Sequence, residues 1–336
     1  MAVEENVFIS GRVSIVTPVY NGEQHLFGML DAVLGQTYPW IEMILVDDGS
    51  MDGTVAVAES YRGKFAARGY EYRIVQASHR NASGAINQGL PYVTGEYLAW
   101  PDSDDVLEPE SVEKRVCFLE KHPGYTCVRS LSYYFDAQTG ERCQKADEQR
   151  GDLSREELFW DVLESRTFVC CGCYLLKSAC FFAIYPKRQI PEYDVGQNFQ
   201  MLLPYLYQYK CPTLQEELYG VAVRTGSHSR TELTRKQEEK KYADYEKLVD
   251  DIARICQIGD RASLDRLTCW KAGRRYRIAL KYRNWRDVRM ALRSLRACGG
   301  LRVGDVVKEL LWAFFMNGWV KEKLYPLYCR MLGREG

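Results

Sequence analysis

The segment LAWPDSDDVLEP (98–109) leaves an apolar run and then places Asp102, Asp104 and Asp105 within four positions. Like charges this close repel one another and add nothing to packing, so the chemistry that suits them is cation binding. Hard divalent cations such as Mg2+ or Mn2+ take oxygen ligands, often one or two carboxylates with phosphate oxygens completing the shell. Carboxylates two positions apart at a strand end can divide the work, one meeting a metal and its neighbour a sugar hydroxyl. A lone D-x-D is more often a solvated acidic loop, but here a second acidic pair, Asp47 and Asp48, opens DDGS. A carboxylate can accept the N3–H of uracil. The same residue types also form ordinary turns, and receiver domains carry paired acids after a strand. Upstream, TPVYN (17–21) supplies Tyr20, whose ring can pack on a base or merely punctuate a strand end.

The elements that must position these residues follow from hydrophobic patterning. VSIVTPV (13–19) is almost continuously apolar and β-branched, as a central parallel strand covered on both faces would be. Leu26, Met29, Leu30, Val33 and Leu34 then fall at helical spacing. IEMILV (41–46), YRIVQA (72–77) and EYLAW (96–100) read as three further strands, with a short helix over 82–88 and another after Pro109 that buries Val112, Val116 and Leu119. Asp52 stands where it can cap the helix after DDGS. This alternation predicts an α/β, doubly wound, mostly parallel sheet. In such sheets ligands bind beyond the carboxyl ends of the strands, so TPVYN, DDGS and PDSDD should meet along one edge.

Past residue 136 the pattern loosens. DAQTGE (136–141) predicts a hairpin turn, SREELFWDVLES (154–165) a capped amphipathic helix, FVCCGCYLLK (168–177) a strand, and GQNFQMLLPYLYQY (196–209) a helix carrying Pro204. ELYGVAVRTGSHS (217–229) reads as a strand running into a polar loop. After about residue 232 the sequence turns charged and helical, which predicts two domains, 1–232 and 233–336.

The 336 residues carry 45 Lys and Arg against 45 Asp and Glu, and this balance argues against nucleic acid as the main partner. MAVEENVFISGRVSIV shows no basic region followed by an apolar run, and no uninterrupted apolar run reaches membrane-spanning length. A cytoplasmic protein is expected, its twelve cysteines reduced. The cluster Cys170, Cys171 and Cys173 reads as small buried residues on a strand rather than a zinc site.

Taken in order, TPVYN, DDGS, a polar helix ending AINQG and then GEY followed by DSDD, the chain resembles the family 2 glycosyltransferases, which have the GT-A fold. The resemblance is strong over residues 12–122, weakens through 230 and is absent from the helical tail. It implies an inverting transferase with a UDP-sugar donor, a saccharide or lipid-linked saccharide acceptor and a divalent metal, Mn2+ or Mg2+, working in cell-surface polysaccharide assembly. Carried over by position, Pro18, Val19, Tyr20 and Asn21 line the nucleoside pocket, and Asp48, Gly49 and Ser50 read the uracil side. Asn87 lies on the donor side, Asp102, Ser103 and Asp104 form the D-x-D site with Asp104 as metal ligand beside Asp102, and Asp105 is the trailing acid that shapes the loop.

Three departures accompany the resemblance. The family's Glu-Asp pair that supplies the general base is replaced by Gln197-Asn198, and neither amide is a base at neutral pH. Asp194 or Glu192 can take that role, Gln197 and Asn198 can orient the acceptor, or the chain binds donor without turnover. The family's Ala-Arg-Asn run is Ala85-Ile86-Asn87, which leaves Arg80 as the candidate cation for the diphosphate. In the loop after Arg224, His228 is either a further metal ligand or a solvated side chain.

The tail adds one feature. RRYRIALKYRNWRDVRMALRSLR (274–296) is basic and aromatic, and residues 310–332 are rich in Trp, Phe, Tyr and Leu. Such helices either pack on the domain or make a peripheral contact with an anionic membrane. Two alternatives to catalysis by transfer remain. A non-catalytic nucleotide-sugar or glycan-binding protein is one. A sugar-phosphate nucleotidyltransferase is the other, and it would need a Gly-rich basic loop that TPVYNGEQ lacks.

Overall fold

The computed structural model describes residues 8–143, 151–224, 233–300 and 307. In chain order the first half alternates β1 (Ile9–Val19), α1 (Leu26–Leu34), β2 (Ile41–Asp47), α2 (Thr54–Ser60), α3 (Arg62–Arg68), β3 (Glu71–Gln76), α4 (Ala82–Gly89) and β4 (Gly95–Ala99). β2 is buried at all seven positions, as its unbroken apolar run requires. The strands stand in the order β3-β2-β1-β4, all parallel. Register brings Val19 opposite Asp47, and Asp47 opposite Gln76, so the polar motifs after β1 and β2 open side by side.

The second half completes one mixed sheet. β5 (Val106–Leu107), α5 (Ser111–Lys121), β6 (Cys127–Asp136), β7 (Arg142–Cys143), α6 (Phe159–Leu163), β8 (Tyr174–Lys177), α7 (Ser178–Ile184), α8 (Gln197–Gln208) and β9 (Thr213–Val223) follow. The sheet continues β4-β8-β6-β9-β5, with β7 paired to β6. β8 is antiparallel to β4 and β6, and β9 is parallel to β6. The two residues of β5, directly after the three acids, pair with Tyr219 and Gly220 of β9. The acidic loop is thereby fastened to a strand more than a hundred residues away. The doubly wound sheet expected from the sequence is the one observed, with its first four strands all parallel.

Some local expectations are corrected. The helix expected over 154–165 is confined to Phe159–Leu163. Asp152 captures the backbone N–H and hydroxyl of Ser154, a local turn that competes with helix. Cys171–Cys173 form a 3-10 turn before β8 rather than a strand. Gly172 lies against the Tyr219 ring, where a Cβ would stand 1.9 Å from Cε2. Cys171 and Cys173 are buried, and Cys170 and Cys173 are spaced C-x-x-C. The helix after DDGS starts at Thr54 with Gly53 as its cap, while Asp52 takes the Thr54 N–H from one position further back.

Pro204 sits inside α8 and lacks the N–H that the Gln200 carbonyl would otherwise accept. The Tyr185 hydroxyl donates to that carbonyl at 2.7 Å and replaces the missing bond. Arg115 of α5 is fully buried without a carboxylate partner, and it donates to the carbonyls of Ser111, Gly172 and Tyr174. Burial lowers its pKa to about 10.

The chain divides into two compact units, Met1–Glu232 with Asp250–Cys256, and Leu233–Val249 with Gln257–Gly336. The second contains most of α9 (Arg235–Ile255), with α10 (Arg261–Lys281) and α11 (Trp285–Ala297). Its core joins Ala272, Tyr276, Ala279 and Leu280 of α10 to Val288, Ala291 and Leu295 of α11. Cys269 and Cys298 form a disulfide, which corrects the expectation that all twelve cysteines stay reduced. Among the described residues no helix is long and apolar enough to cross a membrane.

Candidate functional site

The acidic loop is built downward from β4. Tyr219 of β9 organises it: its hydroxyl donates to Asp105 Oδ2 at 2.7 Å and accepts the Asp102 N–H at 3.1 Å. Asp105 Oδ1 accepts the Ala222 N–H at 2.9 Å. Both oxygens of Asp105 are thus used to hold the loop, and burial with the charges of Asp102 and Asp104 pushes its carboxyl well above the usual range. Ser103 is buried between its neighbours.

Asp102 and Asp104 are left for other work. Gln197 Nε2, at the first position of α8, donates to Asp102 Oδ1 at 3.1 Å. Burial, and then the charge of Asp104, push the Asp102 carboxyl up to about 6, against hydrogen bonds from Cys171 and Gln197. Asp104 forms an ion pair with Arg224, the residue after β9. The loop therefore already holds one cation, a guanidinium. Beside it, burial and Arg224 hold the His25 imidazole below its ordinary range.

The second acidic motif sits at the end of β2. Asp48 is buried; its Oδ1 accepts the Arg80 N–H at 3.0 Å, and its Oδ2 lies 3.0 Å from His79 Nδ1. The His79 ring stacks on Tyr20, with centroids 4.1 Å apart and planes 23° from parallel. One aromatic surface is thus set beside the Asp48 carboxylate. Val19 is buried and its carbonyl accepts the Asp48 N–H, while Pro18 stands opposite Val46 in register. Asn21 and Ser50 tie the two loops together: Asn21 N–H donates to Ser50 Oγ, and Asn21 Oδ1 accepts the Met51 N–H. Gly49 has φ +76°, and a Cβ there would meet the His79 nitrogen at 2.8 Å.

The remaining expected residues lie between α4 and α8. Asn87 is buried and gives both ends of its amide to the Ile190 backbone, so it anchors the segment before α8. Arg80 pairs with Glu192 at 3.0 Å. Asp194 is exposed two residues before Gly196, which takes a left-handed conformation at the start of α8. Asn198 Oδ1 accepts from Trp100 Nε1 at 3.4 Å. Gln197 and Asn198 therefore stand against the acidic loop and its preceding tryptophan. His228, and residues 310–332 of the tail, lie outside the described residues.

Tyr219, Arg224, His79 and His25 were not singled out from the sequence. Their roles come from pairings across more than twenty to a hundred positions, and Arg224 ends the apolar run VAV like any strand-terminal charge.

Chemically, Asp102 and Asp104 offer hard oxygen donors, and the guanidinium at Asp104 shows that a cation is electrostatically welcome there. Among the described residues no group of three His, Cys, Asp or Glu side chains encloses a metal. A cation at Asp102 and Asp104 would thus take its remaining ligands from a bound phosphate group or water. The residues fit a Mg2+ or Mn2+ ion of that kind.

The profile of the family described as Glycosyl transferase family 2 matches residues 14–180. EpsE of Bacillus subtilis, described as a glycosyltransferase, is 26% identical over 227 residues, which cover 66% of this chain and 77% of the relative. An uncharacterized glycosyltransferase of Rickettsia prowazekii is 31% identical over 182 residues, and the chain spans only 54% of that relative's length and 54% of its own. Among solved structures, S. aureus TarS 1-349 in complex with UDP-GlcNAc matches with a TM-score of 0.58 and 17% identity, over 79% of this chain and 72% of that one. The mannosyltransferase PcManGT from Pyrobaculum calidifontis, in complex with GDP-Man and Mn2+, matches with a TM-score of 0.53 and 17% identity, over 96% and 88%. At these identities the two structures speak to the fold alone.

Proposed function

The chain belongs to the family 2 glycosyltransferases, and from that premise we propose that it moves a sugar from a UDP-sugar to a hydroxyl of a saccharide or lipid-linked saccharide, with inversion at the anomeric carbon. The observation that carries the donor side is the set at the strand ends: the Tyr20 ring beside buried Asp48, with Asp102 and Asp104 past β4. The neighbouring structures' complexes with UDP-GlcNAc and with GDP-Man and Mn2+ support a nucleotide-sugar donor.

In this reading the uracil stacks on Tyr20 and its N3–H donates to the Asp48 carboxylate. Asp102 accepts a hydroxyl of the ribose or the donor sugar, and Asp104 faces the diphosphate. Asp104, with Asp102, would hold Mn2+ or Mg2+, which when bound would offset the charge of the diphosphate leaving group. The acceptor oxygen forms the new bond to the anomeric carbon as the old C–O bond breaks, its electron pair leaving with the diphosphate. The acceptor proton passes to a base. Asp194, exposed two residues before the left-handed Gly196, or Glu192, paired with Arg80, is the candidate, with Gln197 and Asn198 orienting the acceptor. His228 remains a candidate further ligand. Residues 1–232 form the transferase domain and 233–336 the helical one. The setting is the cytoplasmic face of cell-surface polysaccharide assembly.

Calorimetric titration of UDP and of GDP, each with and without Mn2+, tests the donor side. UDP binding that needs Mn2+ and exceeds GDP binding supports it, and Asp104→Ala should then abolish the metal-dependent part. Equal binding of both nucleotides, or neither, would reject the assignment. Amides at the base position favour one second reading, a donor-binding protein without turnover. Sugar release from UDP-sugars separates the two, and full activity in Asp194→Asn would remove Asp194 as the base.

A further inference from the structure

Charge is not spread evenly along this chain. Its total is neutral, yet residues 257–300 hold twelve Lys and Arg against three Asp and Glu. Part of that excess is neutralised within the helical unit. Arg275 pairs with Glu246, Lys281 with Glu238 and Arg261 with Asp265. Arg274 lies over the Trp270 and Tyr245 rings, 4.0 and 4.7 Å from their centroids.

α11 carries a row of exposed arginines. Its apolar face, Val288, Ala291 and Leu295, is fixed into the core against α10. The opposite side carries Arg286, Arg289, Arg293 and Arg296, three, four and three positions apart and all exposed. That spacing gathers four guanidiniums on one helix face. Arg286, Arg293 and Arg296 make no ion pair among the described residues. Met290, 55% exposed, stands beside them. The sequence that follows, 301–336, has six Lys and Arg against four Asp and Glu, so it carries no net acidic charge.

We propose that this face of α11 docks on an anionic lipid bilayer. Guanidiniums pair bidentately with lipid phosphates. An unbranched apolar side chain among them suits the headgroup–acyl boundary better than it suits base stacking on a nucleic acid. The proposal stands on the helical unit alone and holds whichever sugar the other unit transfers.

The test is sedimentation of the full chain with vesicles of phosphatidylcholine alone, or mixed with phosphatidylglycerol, across a salt series. The wild type should sediment with the mixed vesicles at low salt, be released as salt screens the charges, and ignore neutral vesicles. The variant Arg286→Gln/Arg289→Gln/Arg293→Gln/Arg296→Gln changes only exposed positions to another good helix former, and a circular dichroism spectrum checks its fold. It should lose about a thousandfold in partitioning. Lys236→Gln/Lys240→Gln, on the charge-balanced α9, should bind as wild type. Failure of the wild type to bind at low salt overturns the proposal. So does equal binding by the quadruple variant, or tighter retention of the wild type by single-stranded RNA than by the mixed vesicles.

Discussion

Arg224 neutralises Asp104, so a divalent ion reaching that carboxylate must displace a guanidinium. Replacing Arg224 by Gln removes the competitor. Mn2+ binding to the nucleotide-free protein, followed by electron paramagnetic resonance, should then tighten roughly tenfold, as expected for one unscreened unit charge nearby. Unchanged or weaker binding would mean that the pair supports the site instead of opposing the metal. Asp102 gives a second, pH-dependent signature. Its folded-state pKa, about 6, stands above the ordinary 3.8, so its proton is bound more tightly in the folded protein. The stabilisation this gives is complete below pH 3.8 and is lost as pH rises through about 6. Metal-free protein should therefore lose stability over that window, and Asp102→Asn should flatten the loss. Metal affinity moves the opposite way: below about pH 6 a proton competes, and affinity should fall roughly tenfold per pH unit. A flat affinity between pH 5 and 7 would remove Asp102 from the ligand set.

At the scale of elements, the first half was legible because each strand announces itself locally. Runs such as VSIVTPV and IEMILV are long, β-branched and closed by polar turns, and parallel register then aligns Tyr20 with Asp48 without further information. The second half resisted because its elements are made by distant partners. β5 has two residues and exists through Tyr219 and Gly220, and Gly172 is required by the ring of Tyr219. Pro204 is the same lesson within one helix, since the sequence shows the missing donor but not its replacement. Tyr185→Phe leaves the buried Gln200 carbonyl without the hydroxyl that now satisfies it. Urea unfolding should show a loss of about 1–3 kcal/mol, the desolvation cost of an unpaired buried acceptor. A loss within a few tenths would mean that α8 closes the gap by itself.

At the scale of the whole molecule, the sequence announces the change to charged helices near residue 232, but the structure returns Asp250–Cys256 to the first unit, a choice made by packing that charge patterning does not encode. The pairing of Cys269 with Cys298 was equally hidden, because it depends on how α10 and α11 fold back on one another. This cross-link closes a loop of sequence separation 29, for which loop-closure entropy gives about 3.6 kcal/mol. Its loss should weaken the helical unit and leave the sheet unit alone. Two compact units predict two thermal transitions, which ligands and reductant can assign. UDP with Mn2+ should raise the transition of the sheet unit by mass action, and dithiothreitol or Cys298→Ser should lower the other. If reductant lowers the UDP-sensitive transition equally, the units do not unfold separately. If it lowers neither, the disulfide adds no stability, and the helical unit stands on its Ala272–Leu295 core alone.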